Sequence, residues 1–153
     1  MKNGIIYLLS LIIAATLILT SCLKERRIST VKVKQKEIIN TAKNQIGKKY
    51  CYGGKGPSCF DCSGFIHFVY KMNGIDIPWT TDSLKKTGRK IRKIRNLKPA
   101  DILIFRIRRK FYHAGLYMGN DEFIHSPKKG DRVRKERLNK YWRKKFKYAR
   151  RVL

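Results

Sequence analysis

The sequence predicts an α+β domain in which helices come first and an antiparallel sheet follows. Apolar residues recur at helical spacing as far as Tyr70, and from Ile102 onward the period changes to two. Short Gly-, Asn- and Asp-bearing connections then let successive strands fold back on one another. Taken in order, Lys36–Ile46 carries Ile38, Ile39, Ala42 and Ile46 on one helical face and stops at Gly47. Lys48–Phe60 holds Gly53-Gly54, Gly56 and Pro57 and reads as a loop. Asp61 is placed to cap a second helix whose apolar face is Cys62, Phe65, Ile66, Val69 and Tyr70, and Asn73-Gly74 ends it. Pro78 and Thr80 open a short third helix that stops near Gly88. Ile102–Phe105, His113–Met118 and Phe123–Ser126 read as strands, Arg106–Lys110 as a turn, and a last strand is expected around Tyr148–Leu153.

The first residues bear on location. Lys2 is the only charge before Lys24, and Ile5–Leu19 is almost wholly apolar, shorter than the roughly 18 residues of a spanning helix. Leu19-Thr20-Ser21-Cys22 resembles a bacterial lipoprotein signal, so residues 1–21 are expected to be a signal peptide and Cys22 the lipidated new N-terminus. The alternative is an ordinary leader or an uncleaved anchor in which Cys22 is incidental. Residues 22–36 are charged and poor in large apolar side chains, and read as a tether. Residues 37–153 then form one domain, too small for two cores, held outside the cytoplasm at a bacterial membrane.

The charge is extreme. Without the leader the chain keeps 36 Lys and Arg (Lys2 is lost) against 10 Asp and Glu, a net of +26. Such a field attracts polyanions. In the cytoplasm nucleic acid would come first, but an exported chain points instead to anionic envelope polymers and lipid head groups. A solvated basic surface without a dedicated partner accounts for the same composition.

Three residues have the makings of a nucleophilic site. Cys62 opens a helix, where unpaired backbone N–H groups and the helix dipole are expected to lower its thiol pKa and to receive an oxyanion. Of the three histidines, His113 and His125 fall on the two strands of a predicted hairpin. Ala114, Leu116, Met118 and Ile124 are the even, apolar set, so both histidines share the opposite face if the hairpin pairs odd with odd. That register requires an odd-length loop or a bulge at Gly119-Asn120-Asp121. One histidine could then act as base and the other orient it. Taken singly, a helical cysteine is usually a core thiol and a strand histidine a satisfied structural residue; the three together favour catalysis. His67 lies on another helical face and reads as structural. Zinc is not expected, since the Cys59-x-x-Cys62 spacing has no second pair.

The blocks Tyr50-Cys51-Tyr52-Gly53-Gly54 and Phe60-Asp61-Cys62-Ser63-Gly64-Phe65 resemble the NlpC-type cell-wall peptidases, a papain-like cysteine peptidase family. Leu97–Phe105, His113–Gly119, Phe123–Ser126 and the tail Tyr141–Phe146 with Ala149–Val152 agree, the tail resembling members that are murein endopeptidase lipoproteins. The resemblance implies an NlpC fold, with helices packed on a central antiparallel sheet. It makes Cys62 the nucleophile, His113 the base and His125 the orienting residue, with Tyr50, Asp61 and Ser63 shaping the substrate site. It implies hydrolysis of a peptide bond in peptidoglycan stems or cross-links through an acyl-enzyme, without metal or cofactor. Ala100 stands where the family usually has Gly, a modest change unless that residue needs positive φ; Trp79 stands where a basic residue is common and Leu84 where Gln is frequent, so groove chemistry is expected to differ. No wall-binding module is visible, leaving the lipid and the basic surface as the expected localisers.

Two other functions fit the same residues: a thiol amidase or acyltransferase of the same fold, and a non-catalytic basic envelope-binding lipoprotein. The intact Cys62, His113 and His125 set counts against the second. Cys51 and Cys59 are extra to the family pattern. In an oxidising compartment they could bridge the glycine-rich loop for about 2–3 kcal/mol, or be small filler residues.

Overall fold

A computed structural model describes residues 2–153, with side chains from Leu11 onward. Helix α1 is Lys2–Lys43, and the chain divides within it into a unit ending at Lys34 and a unit of Gln35–Leu153. The first unit is helical, including the stretch read as a tether, and exposes Leu11, Ile12, Ile13, Leu17, Ile18 and Leu19. Among the described residues no helix is long and apolar enough to cross a membrane.

In the second unit, Ile38, Ile39 and Ala42 enter the core, while Ile46 lies beyond the helix and is half exposed. Gly47 ends this stretch at φ +90°, a value that favours glycine. The expected loop contains a small parallel pair, β1 (Lys49–Tyr50) and β2 (Cys59–Phe60). A disulfide joins Cys51 to Cys59, with Cα atoms 5.7 Å apart.

Helix α2 (Cys62–Met72) is capped by Asp61, ends at Asn73, and buries Phe65, Ile66, Val69 and Tyr70. The third helix is one turn, α3 (Thr81–Leu84), capped by Thr80. Leu84 is fully buried in the core rather than in a groove, so its replacement of a polar family residue changes packing and not groove chemistry.

Six antiparallel strands form the sheet, in the order β3 (Arg89–Ile91), β8 (Phe146–Arg151), β4 (Ile102–Arg106), β5 (Tyr112–Gly119), β6 (Glu122–His125) and β7 (Arg134–Arg137). A further helix, α4 (Lys140–Lys145), precedes β8. Strands β3 and β7 and helix α4 are unanticipated. They are edge or covering elements made largely of Lys and Arg, and so lack the apolar alternation that marks a half-buried strand.

The two faces of the sheet have separate cores. Ile102, Ile104, Ala114, Leu116 and Ile124 pack with α2 and the end of α1. Leu103, Phe105, Tyr117, Phe123 and Ala149 pack with Leu138 and Trp142. The β5–β6 turn puts Asn120 and Asp121 at positive φ, and the register shifts between Tyr117 and Gly119. Leu116 therefore opposes Ile124, and Tyr117 opposes Phe123. This is the bulge that the odd-with-odd pairing requires.

Candidate active site

The cysteine side is assembled locally. The Asp61 carboxylate accepts from Gly64 N at 2.6 Å and Ser63 Oγ at 3.1 Å, and its other oxygen accepts from Gly53 N at 3.1 Å. One side chain thus caps α2 and ties the glycine-rich loop to it. Asp61 N donates to Gly54 O, and a Cβ on Gly64 would lie 2.0 Å from that same oxygen. Only glycine allows this approach of helix to loop.

Cys62 occupies the first position of α2 and shares a hydrogen bond with Thr81 Oγ1 at 3.7 Å. Burial pushes its thiol up from the ordinary value, and the backbone N–H groups of Ala114 and Ser63 together with Thr81 only partly offset that. The expectation of a lowered thiol pKa is therefore corrected: desolvation outweighs the helix terminus. A cavity of about 470 Å³ is lined by Tyr50, Asp61, Cys62, Ser63, Trp79 and Thr81, among others. Tyr50 is also raised, by burial and then by the proximity of Cys62 and Asp61. Ser63 is buried with its hydroxyl committed to Asp61, so it supports the helix start more than it faces the cavity.

The histidine side depends on long-range register. His113 is on β5 and His125 on β6, both buried, with His113 Nε2 2.7 Å from His125 Nδ1. Their rings sit among Phe105, Phe123 and Trp142. Burial and then His125 hold His113 down to about 3. Burial also holds His125 down, to about 4, although Glu136 works against it. Both rings are thus neutral at pH 7. With Nε2 of His113 engaged, Nδ1 is the nitrogen left to accept a proton. A cavity of about 300 Å³ is lined by His113, His125, Tyr50, Phe111, Trp142 and others.

The two halves meet at Ala114. Its backbone amide reaches the Cys62 sulfur, and it is the neighbour of His113. Tyr50 and Phe111 line both cavities. A part-buried thiol at a helix start, with a neutral imidazole pair on the adjoining strands, supplies the parts that general-base-assisted thiol chemistry needs.

His67 donates from Nδ1 to the Ile77 carbonyl at 2.6 Å, with its ring edge against Trp79. The Cys51–Cys59 bridge removes both of those thiols from any Cys-based metal site. Several residues of the site are not marked by the sequence motifs: Lys55, whose ammonium sits 4.1 Å over the Trp79 ring, Thr81 and Phe111 in the cavities, and Glu136 beside His125. For Glu136 a signal existed, since Asp131 and Glu136 are the only acidic residues after Glu122 in a strongly basic stretch.

Fold and site together are those of a papain-like α+β protein with a thiol at a helix start and a histidine pair on adjoining strands. Residues 47–151 match the NlpC/P60 family, and the chain belongs to it. It is 31% identical over 108 residues to the murein DD-endopeptidase MepS/murein LD-carboxypeptidase of Escherichia coli K12, covering 70% of this chain and 57% of that protein. It is 34% identical over 93 residues to the probable endopeptidase p60 of Listeria innocua, covering 61% of this chain and 20% of that protein. The crystal structure of an NlpC/P60 family protein from Bacillus cereus superposes with a TM-score of 0.73 at 31% identity, covering 78% of this chain and 40% of the other. The chain thus spans little more than half, or less, of the curated relatives it matches.

Proposed function

We propose that this protein is a peptidoglycan endopeptidase that hydrolyses a peptide bond in murein stem peptides or cross-links through Cys62. The observation that carries the reading is the thiol at the first position of α2 beside Ala114, with the His113–His125 pair on the adjoining strands. Family membership and relatives named as murein and p60 endopeptidases support it.

In the first step His113 Nδ1 takes the thiol proton as sulfur attacks the scissile carbonyl. The developing oxyanion lies at the start of α2, at the positive end of the helix dipole. His113 then returns the proton to the leaving amine, and the C–N bond breaks to leave a thioester on Cys62. Water, deprotonated by the same imidazole, attacks that thioester; the C–S bond breaks, the acid is released, and the imidazolium returns its proton to the Cys62 sulfur. His125 orients His113 throughout. Tyr50 lines the substrate cavity; Asp61 and Ser63 hold its floor. No cofactor or metal takes part in these steps.

The proposal extends to location. Residues 1–21 act as a signal peptide, Cys22 carries lipid, and residues 22–36 link that anchor to the domain. The apolar run Ile5–Leu19 and the lipoprotein-like Leu19–Cys22 support this. Arg106, Arg108, Arg109, Lys144, Lys145 and Lys147 line one open cavity, a surface suited to anionic envelope polymers. Incubating the purified protein with defined muropeptides and weighing the products tests the reaction. Fragments gaining one water at a peptide bond are expected; intact muropeptides, or acyl transfer without hydrolysis, would overturn it.

A further inference from the structure

We propose that Glu136 is a positioning residue that fixes the order of protons along the His125–His113 pair, so that His113 presents a bare Nδ1 to Cys62. The inference rests on the peptidase reading above and adds a member to its site.

The placement follows from the outermost pairing of the sheet. In the β6–β7 register Phe123 opposes Glu136 and His125 opposes Arg134. Paired residues share a face, so β7 sends Arg134 and Glu136 to the histidine face and Lys135 and Arg137 to the other. Glu136 Oε1 lies 3.3 Å from His125 Nε2, within ion-pair reach though off the line of a formed hydrogen bond. The carboxylate is itself held. Arg134 donates to Oε1 from Nε at 2.8 Å, and its terminal nitrogen lies 2.7 Å from that oxygen. The Trp142 indole N–H donates to Oε2. Burial works against the charge, but the Trp142 and Arg134 hydrogen bonds overcome it and keep Glu136 below the ordinary carboxylate range.

Proton order then follows from donor and acceptor inventory. An ionised carboxylate only accepts, so the nitrogen facing it, His125 Nε2, is favoured as the protonated one. In a neutral imidazole the other nitrogen is then bare. His125 Nδ1 therefore accepts, which requires His113 Nε2 to donate across the 2.7 Å contact. His113 Nδ1 is left without a proton, as a base for the thiol must be. Reversing the order at Glu136 would reverse every step and leave His113 Nδ1 protonated. The other charged or titratable groups facing His125 are Asp131, which pairs with Arg134 at 3.1 Å, and Lys128, Tyr50 and Tyr141 around the cavity. Of the acidic groups among them, Glu136 alone is within ion-pair distance of the ring.

Glu136→Gln keeps the shape and lets an amide N–H face His125 Nε2. Three readouts separate positioning from bulk structure: nitrogen-15 shifts of the histidine rings, the pH dependence of Cys62 alkylation by iodoacetamide, and the kcat and KM of muropeptide cleavage. The wild type should show His125 protonated at Nε2 and bare at Nδ1. The variant should show a mixed or reversed tautomer, alkylation slower near neutral pH, and kcat down by about 10-fold or more with KM little changed. A wild-type His125 protonated at Nδ1 overturns the inference without any variant, so a Glu136→Gln protein that fails to fold does not shelter it. An unchanged tautomer and alkylation profile in a folded Glu136→Gln protein also overturns it. Absence of muropeptide cleavage by the wild type would count against the peptidase reading alone, because the tautomer and alkylation measurements need no substrate.

Discussion

The cysteine half and the histidine half of the site are built by different means. Most of what places Cys62 lies close in sequence: the Asp61 cap, the Gly53-Gly54 loop, Gly64 and the Cys51–Cys59 bridge. His113 and His125 are set instead by pairing across β4, β5, β6 and β7, and by an aromatic cluster completed by Trp142 from α4. Local hydrogen bonds fix the first half residue by residue. The second rests on parity: a slip of one residue in the β5–β6 register would carry His125 to the opposite face. The thiol is therefore held by caps and a covalent loop, and the histidine pair by the integrity of the whole sheet.

The sharpest break in the comparison falls within the histidine half. His113→Ala should lower the turnover of muropeptides by about 10³-fold or more, since it removes the base. His125→Ala should cost less, on the order of 10- to 100-fold, because it only loosens orientation. Equal losses in steady-state assays would give the two rings equal roles and undo the distinction.

Acid should also strike this half first. The two imidazoles sit at about 3 and about 4, against an ordinary 6.5. Below pH 6.5 the unfolded chain takes up protons that the folded one refuses. The stability tied to these rings is thus complete above 6.5 and is lost as pH falls toward about 3. Urea midpoints should drop between neutral pH and about pH 5, and a His113→Phe, His125→Phe protein should drop less. Parallel slopes would mean that other groups govern acid unfolding.

The cysteine half can be weakened separately. Replacing Cys51 and Cys59 by alanine should cost about 2–3 kcal/mol in urea titrations, with the Cys62 alkylation rate rising as the loop loosens. An unchanged midpoint would show that the Asp61 bonds hold the loop unaided.

The smallest effect is expected at Ala100. It sits at φ 69°, nearly buried, with its carbonyl accepting from the Tyr70 hydroxyl. A non-glycine residue is strained there, so Ala100→Gly should raise stability by roughly 0.5–1 kcal/mol. A loss instead would mean that the buried methyl contributes more than the strain removes.

The same contrast explains how much the sequence made legible. Asp61 as cap, the apolar face of α2 and the strands Ile102–Phe105, His113–Met118 and Phe123–Ser126 follow from local pattern, because each signal lies within one element. The even–odd argument put His113 and His125 on one face subject to a bulge, and Asn120 and Asp121 at positive φ supply it. Strand β7 and helix α4 were illegible, since Arg134-Lys135-Glu136-Arg137 and Lys140–Lys145 read as solvated charge. Glu136 and Trp142 went unseen with them. The thiol pKa was misjudged for a related reason. A helix terminus can be read from sequence, but the burial that outweighs it is a property of the assembled fold. Leu84 likewise turned from a groove residue into a core residue once α3 packed against the sheet.

The central claim is that Cys62 is the nucleophile of a peptidoglycan-cutting site. Its most direct measurement is product analysis by mass spectrometry after incubating defined muropeptides with wild-type protein and with Cys62→Ala protein of unchanged circular dichroism. The account predicts hydrolysed peptide products from the wild type and none above background from the variant. Full hydrolysis by Cys62→Ala would contradict it.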